Sequence, residues 1–404
     1  MGRQSLWFGP YRPPVSARHF RLYRTARCKH IYGGIMRSSV GIQDIPLNDL
    51  SRGIARDGDA LELAYKSVLS SGWLVMGPNH DAFQSELSAY LGVEHALVVA
   101  SGTDALELAI KAVMPEGREI VLTAANAGGY STTAARRAGF RVRYADVDTD
   151  SLCLSVESVT SLLTREIGVV IITHLYGNLT DIEALVVLCH SFGIRVVEDC
   201  AQSLGARRRG RFAGTFGDIS ATSFYPTKNL GALGDGGAVM TDNREYADKV
   251  KQLRQYGWST KYQVALPGGT NSRLDELQAA FLRTRLPQLD TFNARRRSIV
   301  AQYAAAAIDG PLHVLPADGE HHAAHLAVVR SSRRKELRTR LAEQGVQTDI
   351  HFPVPDHHQP GLCAPAQSLP ATEQASVEIF SIPCFPELSD GEIDRVCAAI
   401  GNLR

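Results

Sequence analysis

The sequence of 404 residues predicts an α/β fold with a mainly parallel sheet that is covered by helices on both faces. Between residues 96 and 199, short apolar runs rich in β-branched residues alternate with helical segments. Such runs are typical of parallel strands that are buried on both faces. Beyond residue 307 the pattern changes to two short apolar stretches around a charged helix, which predicts a smaller C-terminal α+β domain.

The individual elements follow from apolar spacing and from the residues that begin and end helices. Strands are predicted at 96–100, 119–123, 141–148, 168–177, 194–199, 219–224 and 237–242. Helices are predicted at 58–71, 80–91, 104–114, 130–138, 155–164, 180–192, 243–256, 274–286, 290–307 and 390–402, and residues 262–273 are expected to form a loop. A strand, helix and strand are expected at 321–330, 332–345 and 346–353. The predicted domains are a large one at 44–286 and a small one at 287–404.

Composition excludes several classes of protein. The chain has 43 Lys and Arg against 42 Asp and Glu, with 44% hydrophobic residues. This is too apolar for a disordered chain, and it lacks both the basic surplus of a nucleic-acid binder and a long apolar run for a membrane span. Seven cysteines without a CxxC pair are typical of reduced thiols in a cytoplasmic protein, so we expect neither disulfides nor a metal site.

Charge is concentrated at the N-terminus. Residues 1–43 contain seven arginines, one lysine and no acidic residue. We expect this basic extension to be disordered or to result from a start codon upstream of the true initiator Met36, and an organelle-targeting segment is the alternative. The fold prediction does not depend on it.

Ligands of an open parallel sheet bind beyond the carboxyl ends of its strands, and three such ends carry polar residues. After the first strand, Ser101, Gly102 and Thr103 open a helix. Free backbone N–H groups at a helix N-terminus, together with a glycine and hydroxyl groups, suit a phosphate. The alternative is an ordinary helix cap.

The fifth strand ends in two carboxylates, Glu198 and Asp199. A carboxylate at a buried strand end costs several kcal/mol unless it is paired or protonated. A cationic ring nitrogen would be a suitable partner, and an ordinary salt bridge or helix cap is the alternative.

The third strand end carries a lysine. Lys228 follows the predicted strand 219–224, with Ser223 five positions earlier and a glycine-rich segment behind it. The chain has only eight lysines against 35 arginines, so a lysine among small and apolar neighbours is unusual here. Desolvation would lower the pKa of its ammonium group and produce an amine nucleophile that can form a Schiff base. A phosphate cradle, a carboxylate and this lysine are the set that pyridoxal 5′-phosphate requires.

Seven segments together resemble the DegT/DnrJ/EryC1/StrS family of pyridoxal-phosphate-dependent nucleotide-sugar aminotransferases. They are GWLVMGP, SGTDALELA, HLYGN, VVEDCAQSLGA, FGDISATSFYPTKNLGALGDGG, GTNSRLDELQAA and IHFPVPDHHQP, and the resemblance covers about residues 46–400. It implies the aspartate-aminotransferase-like fold (fold type I), with a three-layer αβα large domain. It also implies a homodimer with sites shared between subunits.

The resemblance also implies roles for individual residues. Lys228 looks like the Schiff-base lysine, Asp199 like the partner of the pyridine nitrogen, and Gln202 like a donor to the phenolic oxygen. Gly102, Thr103 and Ser223 match phosphate binders, Asn271 matches a phosphate binder from the neighbouring subunit, and Tyr130 matches an aromatic stacked on the ring. Arg273, His325 and His351 match positions near the amino donor or the sugar nucleotide.

The activity that the resemblance implies is transamination from an amino acid, expected to be L-glutamate, to a nucleotide-linked keto-deoxysugar. The C-terminal motifs favour dTDP-sugars and amination at C3 over C4. A dehydratase branch of the family carries histidine in place of the lysine, so Lys228 favours transamination. Another fold-type-I enzyme of the lyase type and a non-catalytic regulator that binds the cofactor are the alternatives.

Overall fold

The structure is a computed structural model that describes residues 44–362 and 367–403. The basic extension expected at residues 1–43 lies outside the described residues. In the part of the chain that is described, no helix is long and apolar enough to cross a membrane.

A seven-stranded sheet forms the centre of the molecule. Its strands are β1 (His95–Val99), β2 (Ile120–Ala124), β3 (Arg141–Ala145), β4 (Ile167–Thr173), β5 (Arg195–Asp199), β8 (Ile219–Ser223) and β9 (Gly237–Thr241), and β6 (Arg207–Arg208) and β7 (Arg211–Phe212) form a separate hairpin. The strand order is β1-β9-β8-β5-β4-β2-β3. Only β9 runs antiparallel to its neighbours. This confirms the mainly parallel sheet.

Helices cover this sheet and continue into the C-terminal part of the chain. They are α1 (Leu50–Arg56), α2 (Gly58–Ser71), α3 (Pro78–Leu91), α4 (Gly102–Val113), α5 (Tyr130–Arg137), α6 (Val156–Leu162), α7 (Glu183–Ser191), α8 (Arg244–Leu253), α9 (Glu276–Arg285), α10 (Leu289–Ala306), α11 (Arg334–Glu343), α12 (Pro370–Glu378) and α13 (Asp390–Gly401). Short 3₁₀ helices occur at Leu175–Gly177, Leu286–Gln288, Asp356–His358 and Pro360–Leu362. The turn at Leu286–Gln288 joins α9 to α10 directly, and the division into domains at this point stays a prediction.

Alternate side chains of the central strands pack into two different hydrophobic clusters, one on each face of the sheet. Val169 and Ile171 of β4 pack in a cluster with side chains of α4 and α8, whereas Val170 and Ile172 pack in a cluster with side chains of α6 and α7. Successive side chains of a strand point to opposite faces, so both faces of the sheet are covered. This is the three-layer arrangement that the apolar runs predict.

The C-terminal sheet differs from the prediction. It is antiparallel, with strands β12 (His313–Val314), β13 (Ala327–Arg330) and β14 (Ile379–Ile382). The strand predicted at 346–353 is wrong: this segment makes only isolated bridges, Ile45 with Val346 and Asp349 with Ser381. All four residues of β14 are buried, so this later apolar segment takes the place beside β13. The loop predicted at 262–273 also begins with a strand, because β10 (Trp258–Thr260) pairs with β11 (Gln263–Val264).

Candidate active site

A cavity of about 500 Å³ lies at the carboxyl ends of β1, β4, β5 and β8. Nine of the residues selected from the sequence line it: Gly102, Thr103, Tyr130, Asp199, Gln202, Ser223, Lys228, His325 and His351. They come from strand ends and from the C-terminal part of the chain, and the fold brings them to one place. This agrees with the rule that ligands of an open α/β sheet bind where the strands end.

Two selected residues do not line this cavity. Asn271 is exposed, and its backbone pairs with Gln255. Arg273 is half-buried two positions later. The assignment of Asn271 to a neighbouring subunit therefore stays a prediction, as does a role for Arg273.

The N-terminus of α4 lies at one end of the cavity. The Ser101 side chain caps this helix by accepting a hydrogen bond from the Asp104 amide at 3.1 Å, as the alternative interpretation expected. Gly102 packs so closely on β8 that a Cβ atom there would lie 2.6 Å from Cβ of Ser223. Only glycine permits this approach, which brings the first amides of the helix and the Ser223 hydroxyl to the same wall.

Asp199 is 5% exposed at the end of β5. Its carboxylate accepts two hydrogen bonds, from the Ala201 amide at 3.1 Å and from the Thr173 hydroxyl at 3.3 Å. Burial raises the pKa of Asp199, although the Ala201 amide and the Lys228 ammonium act in the opposite direction. A buried carboxylate with so few donors is suited to a cationic partner in the cavity.

Glu198, the preceding residue, is fully buried on the other face of the sheet. Its oxygens accept hydrogen bonds from the amides of Gly214, Phe216 and Gly217, and its carboxylate contacts the imidazole of His174 at 2.9 Å. Burial by itself would raise the pKa of Glu198, but His174 and the amides of Gly217 and Gly214 hold it below its usual range. Glu198 thus fits the ordinary salt-bridge interpretation.

Lys228 lies in the loop after β8, where its backbone N–H donates to the Tyr225 carbonyl at 2.8 Å. Its side chain lines the same cavity as Asp199. Burial lowers the pKa of the Lys228 ammonium, and Asp199 opposes this shift. The structure thus provides the desolvated amine that the sequence predicted.

Gln202 is oriented by a backbone group. Its side-chain oxygen accepts a hydrogen bond from the Tyr176 amide at 2.6 Å, and its NH₂ group makes no hydrogen bond to the residues that the structure describes, so it can donate to a ligand. The Tyr176 hydroxyl in turn donates to the His351 carbonyl at 2.6 Å. These bonds connect the loops after β4 and β5 to the C-terminal segment.

Tyr130 begins α5 and is 52% exposed. Its ring packs edge-on against Phe352, with the centroids 6.0 Å apart. A Cβ atom at Gly128, where φ is +74°, would lie 2.9 Å from the Phe352 ring. Phe352 and Thr173 also line the cavity. Sequence reasoning missed both residues, although Phe352 follows His351 in the HFP segment and Thr173 ends the fourth strand.

These residues fit pyridoxal 5′-phosphate. The close approach of Gly102 to Ser223 leaves backbone amides for a phosphate, and Asp199 has too few donors for a buried charge. Lys228 supplies an amine of lowered pKa, and Gln202 keeps an NH₂ group available. Each feature meets one functional group of the cofactor.

Comparisons with known proteins identify the family of this chain. The DegT/DnrJ/EryC1/StrS aminotransferase family matches residues 56–401. The erythromycin biosynthesis sensory transduction protein EryC1 of Saccharopolyspora erythraea is 38% identical over 370 residues, covering 88% of this chain and 99% of that protein. The dTDP-3-amino-3,4,6-trideoxy-alpha-D-glucose transaminase of Streptomyces venezuelae is 37% identical, covering 90% of this chain and 97% of that protein.

A solved structure resembles the whole described fold. The crystal structure of DesV from S. venezuelae, in complex with a ketimine intermediate, superposes with a TM-score of 0.86 at 36% identity, and the alignment covers 89% of this chain and 98% of DesV. Fold type I is thereby confirmed. The chain belongs to the DegT/DnrJ/EryC1/StrS aminotransferase family, whose enzymes use pyridoxal 5′-phosphate as cofactor.

Proposed function

We propose that this protein is a sugar-nucleotide aminotransferase that transfers an amino group from L-glutamate to the C3 keto group of a dTDP-linked keto-deoxysugar. The observation that carries the proposal is the common cavity of Lys228 and Asp199, in which a desolvated amine lies near a buried carboxylate without a strong partner. Relatives named as dTDP-3-amino-3,4,6-trideoxy-alpha-D-glucose transaminases support the sugar class and C3.

The choice of nucleotide rests on the identities of the named relatives. A further relative, from Acidithiobacillus ferrooxidans, is named as a UDP-N-acetyl-3-dehydro-alpha-D-glucosamine 3-aminotransferase and is 34% identical over 361 residues. The dTDP relatives from Micromonospora megalomicea and S. venezuelae are 38% and 37% identical. We therefore propose dTDP over UDP, and a direct competition between dTDP- and UDP-linked 3-keto-sugars tests this choice.

The cofactor, when bound, supplies an aldehyde that reacts with amines and a ring that accepts electrons from the substrate carbon. Asp199 would hold a negative charge next to the protonated ring nitrogen, and this pairing would remove the unfavourable state of a buried, poorly paired carboxylate. Lys228 would take a proton from the substrate carbon and return it, since burial increases the fraction of neutral amine. Gln202 would orient the cofactor through its free NH₂ group.

We further propose that the enzyme is a homodimer with shared active sites. Asn271, the predicted phosphate binder, is exposed and does not line its own chain's cavity. Trp73 and Leu74 are each 56% exposed, and Tyr262 and Val264 in the β10–β11 hairpin are 76% and 66% exposed. Contiguous apolar patches are typical of surfaces that bind another protein, and we propose that these side chains contribute to such a patch at the dimer interface. Sedimentation analysis of the wild type and of Tyr262→Asp tests the dimer.

The visible absorption spectrum of the purified protein with pyridoxal 5′-phosphate tests the activity. L-Glutamate should convert the cofactor to its amine form, and Lys228→Ala should lower turnover by about 10⁴-fold because a proton-transfer group is lost. Lys66→Ala is a matched control, because Lys66 is exposed and its ion pair is with Glu62, which is exposed as well. A cofactor band that glutamate leaves unchanged would favour the lyase-type alternative, and failure to bind the cofactor would overturn the proposal.

A further inference from the structure

A chain of hydrogen bonds beside the cavity links four groups: the Leu204 carbonyl and the side chains of Asn293, Asn229 and His325. The donor and the acceptor of each bond can be assigned. The Asn293 NH₂ group donates to the Leu204 carbonyl at 3.0 Å. The Asn229 NH₂ group donates both to the Asn293 side-chain oxygen at 2.7 Å and to the Ala323 carbonyl at 2.8 Å. Backbone carbonyls can only accept, so the carbonyls of Leu204 and Ala323 determine which way both amides point.

The orientation of the Asn229 amide determines which of its atoms faces His325. With both of its N–H bonds directed away, the Asn229 side-chain oxygen faces Nδ1 of His325 at a distance of 2.8 Å. An amide oxygen cannot donate, so Nδ1 must carry the hydrogen. In a neutral imidazole the other nitrogen, Nε2, then carries a lone pair and accepts hydrogen bonds.

The surroundings of His325 favour the neutral ring. His325 is 7% exposed, and both its backbone N–H and its carbonyl are bonded, to Tyr176 and Arg296 respectively. The charged and titratable groups that face the ring are Lys228 after β8, Arg296 on α10 and His351 in the C-terminal segment. Burial and these groups all lower the pKa of His325 well below its usual range.

We propose that Asn229 is a positioning residue that fixes His325 in its Nδ1–H form, so that Nε2 accepts a hydrogen bond inside the cavity. The inference rests on the proposed function, since the donor to Nε2 would be an ammonium or hydroxyl group of the reactants beside Lys228. A group that can only accept, such as a carboxylate or a phosphate oxygen, has no favourable contact with Nε2. Asn229 thus helps to determine which part of a substrate is held at this wall.

His351, the other histidine of the cavity wall, provides an internal comparison. Its Nδ1 lies 3.0 Å from the Ser381 hydroxyl, and a hydroxyl can both donate and accept. Ser381 therefore does not determine the form of His351 as Asn229 determines that of His325. Removing the Ser381 hydroxyl should leave the nitrogen signals of His325 unchanged.

The first test is nitrogen NMR of the histidine side chains in wild-type protein without cofactor, with the His325 signal assigned by its absence in His325→Gln. We expect Nδ1 to be protonated and Nε2 unprotonated, with no titration between pH 5.5 and 8.5. A protonated Nε2, a mixture of forms or a titration in this range would overturn the proposal. Because this measurement needs no turnover, it is separate from the test of the proposed function.

The second test uses Asn229→Ala, which removes the amide oxygen that holds the hydrogen on Nδ1 of His325. The His325 signals should then show a mixture of the Nδ1–H and Nε2–H forms instead of one form. The ratio kcat/KM should fall, because in the Nε2–H form this nitrogen donates a hydrogen bond and no longer accepts one. Ser381→Ala is the matched control for the NMR signals. A His325 that stayed wholly in its Nδ1–H form in Asn229→Ala would overturn the assignment, whereas inactive wild-type enzyme with the expected signals would overturn only the proposed function.

Discussion

Glu198 and Asp199 are adjacent carboxylates at the end of one strand, but they differ in their hydrogen-bond donors and in the direction of their pKa shifts. Glu198 accepts three backbone hydrogen bonds and contacts His174, and its pKa is lowered. Asp199 accepts one bond from a backbone amide and one from a hydroxyl, and its pKa is raised. Both are buried, so the number and type of hydrogen-bond donors, rather than depth, decide which carboxylate is satisfied within the fold.

The largest expected effect is on activity and comes from replacing Asp199 rather than Glu198. Asp199→Asn should reduce kcat/KM by about 10³-fold, because a charge that stabilises the electron-accepting form of the cofactor is replaced by a neutral amide. The variant should remain folded. Steady-state kinetics with saturating cofactor measure the loss, and near-wild-type turnover would mean that Asp199 is not the partner of the ring nitrogen.

The second prediction concerns stability. Glu198→Gln should lower the free energy of unfolding by about 1–3 kcal/mol, because one amide oxygen cannot replace two carboxylate oxygens as acceptors for the buried amides of Gly214, Phe216 and Gly217. Urea denaturation at pH 7 measures this loss. If the variant were as stable as Asp199→Asn, the distinction drawn between the two carboxylates would be wrong.

The smallest effect has the opposite sign. Without cofactor, Asp199→Asn should raise the free energy of unfolding by about 1–2 kcal/mol at pH 7.5, because a poorly satisfied buried carboxylate is removed. Since the pKa of Asp199 is raised in the folded state, its ionisation destabilises the fold only as the pH rises above the unfolded value near 4. The gain should therefore be smaller at pH 4.5. An equal gain at both values would show that charge is not its cause.

Much of the fold could be predicted because the responsible signals are local. The β-branched runs give strands that are buried on both faces, and the observed seven strands fall within a residue or a few of the predicted ones. The C-terminal sheet was predicted less well. The segment at 346–353 and β14 both have strand-like composition, and the choice between them depends on packing against β13, which is not encoded in either segment alone.

The sequence by itself determined the chemical groups of the site, because Gly102, Asp199 and Lys228 follow strands whose carboxyl ends must meet at one edge of a parallel sheet. Only the tertiary structure decided their states. Glu198 has strong hydrogen-bond donors, because the amides of Gly214, Phe216 and Gly217 return to one face of β5. Asp199 lacks such donors. The form of His325 likewise depends on contacts between residues far apart in the chain, which the fold alone brings together.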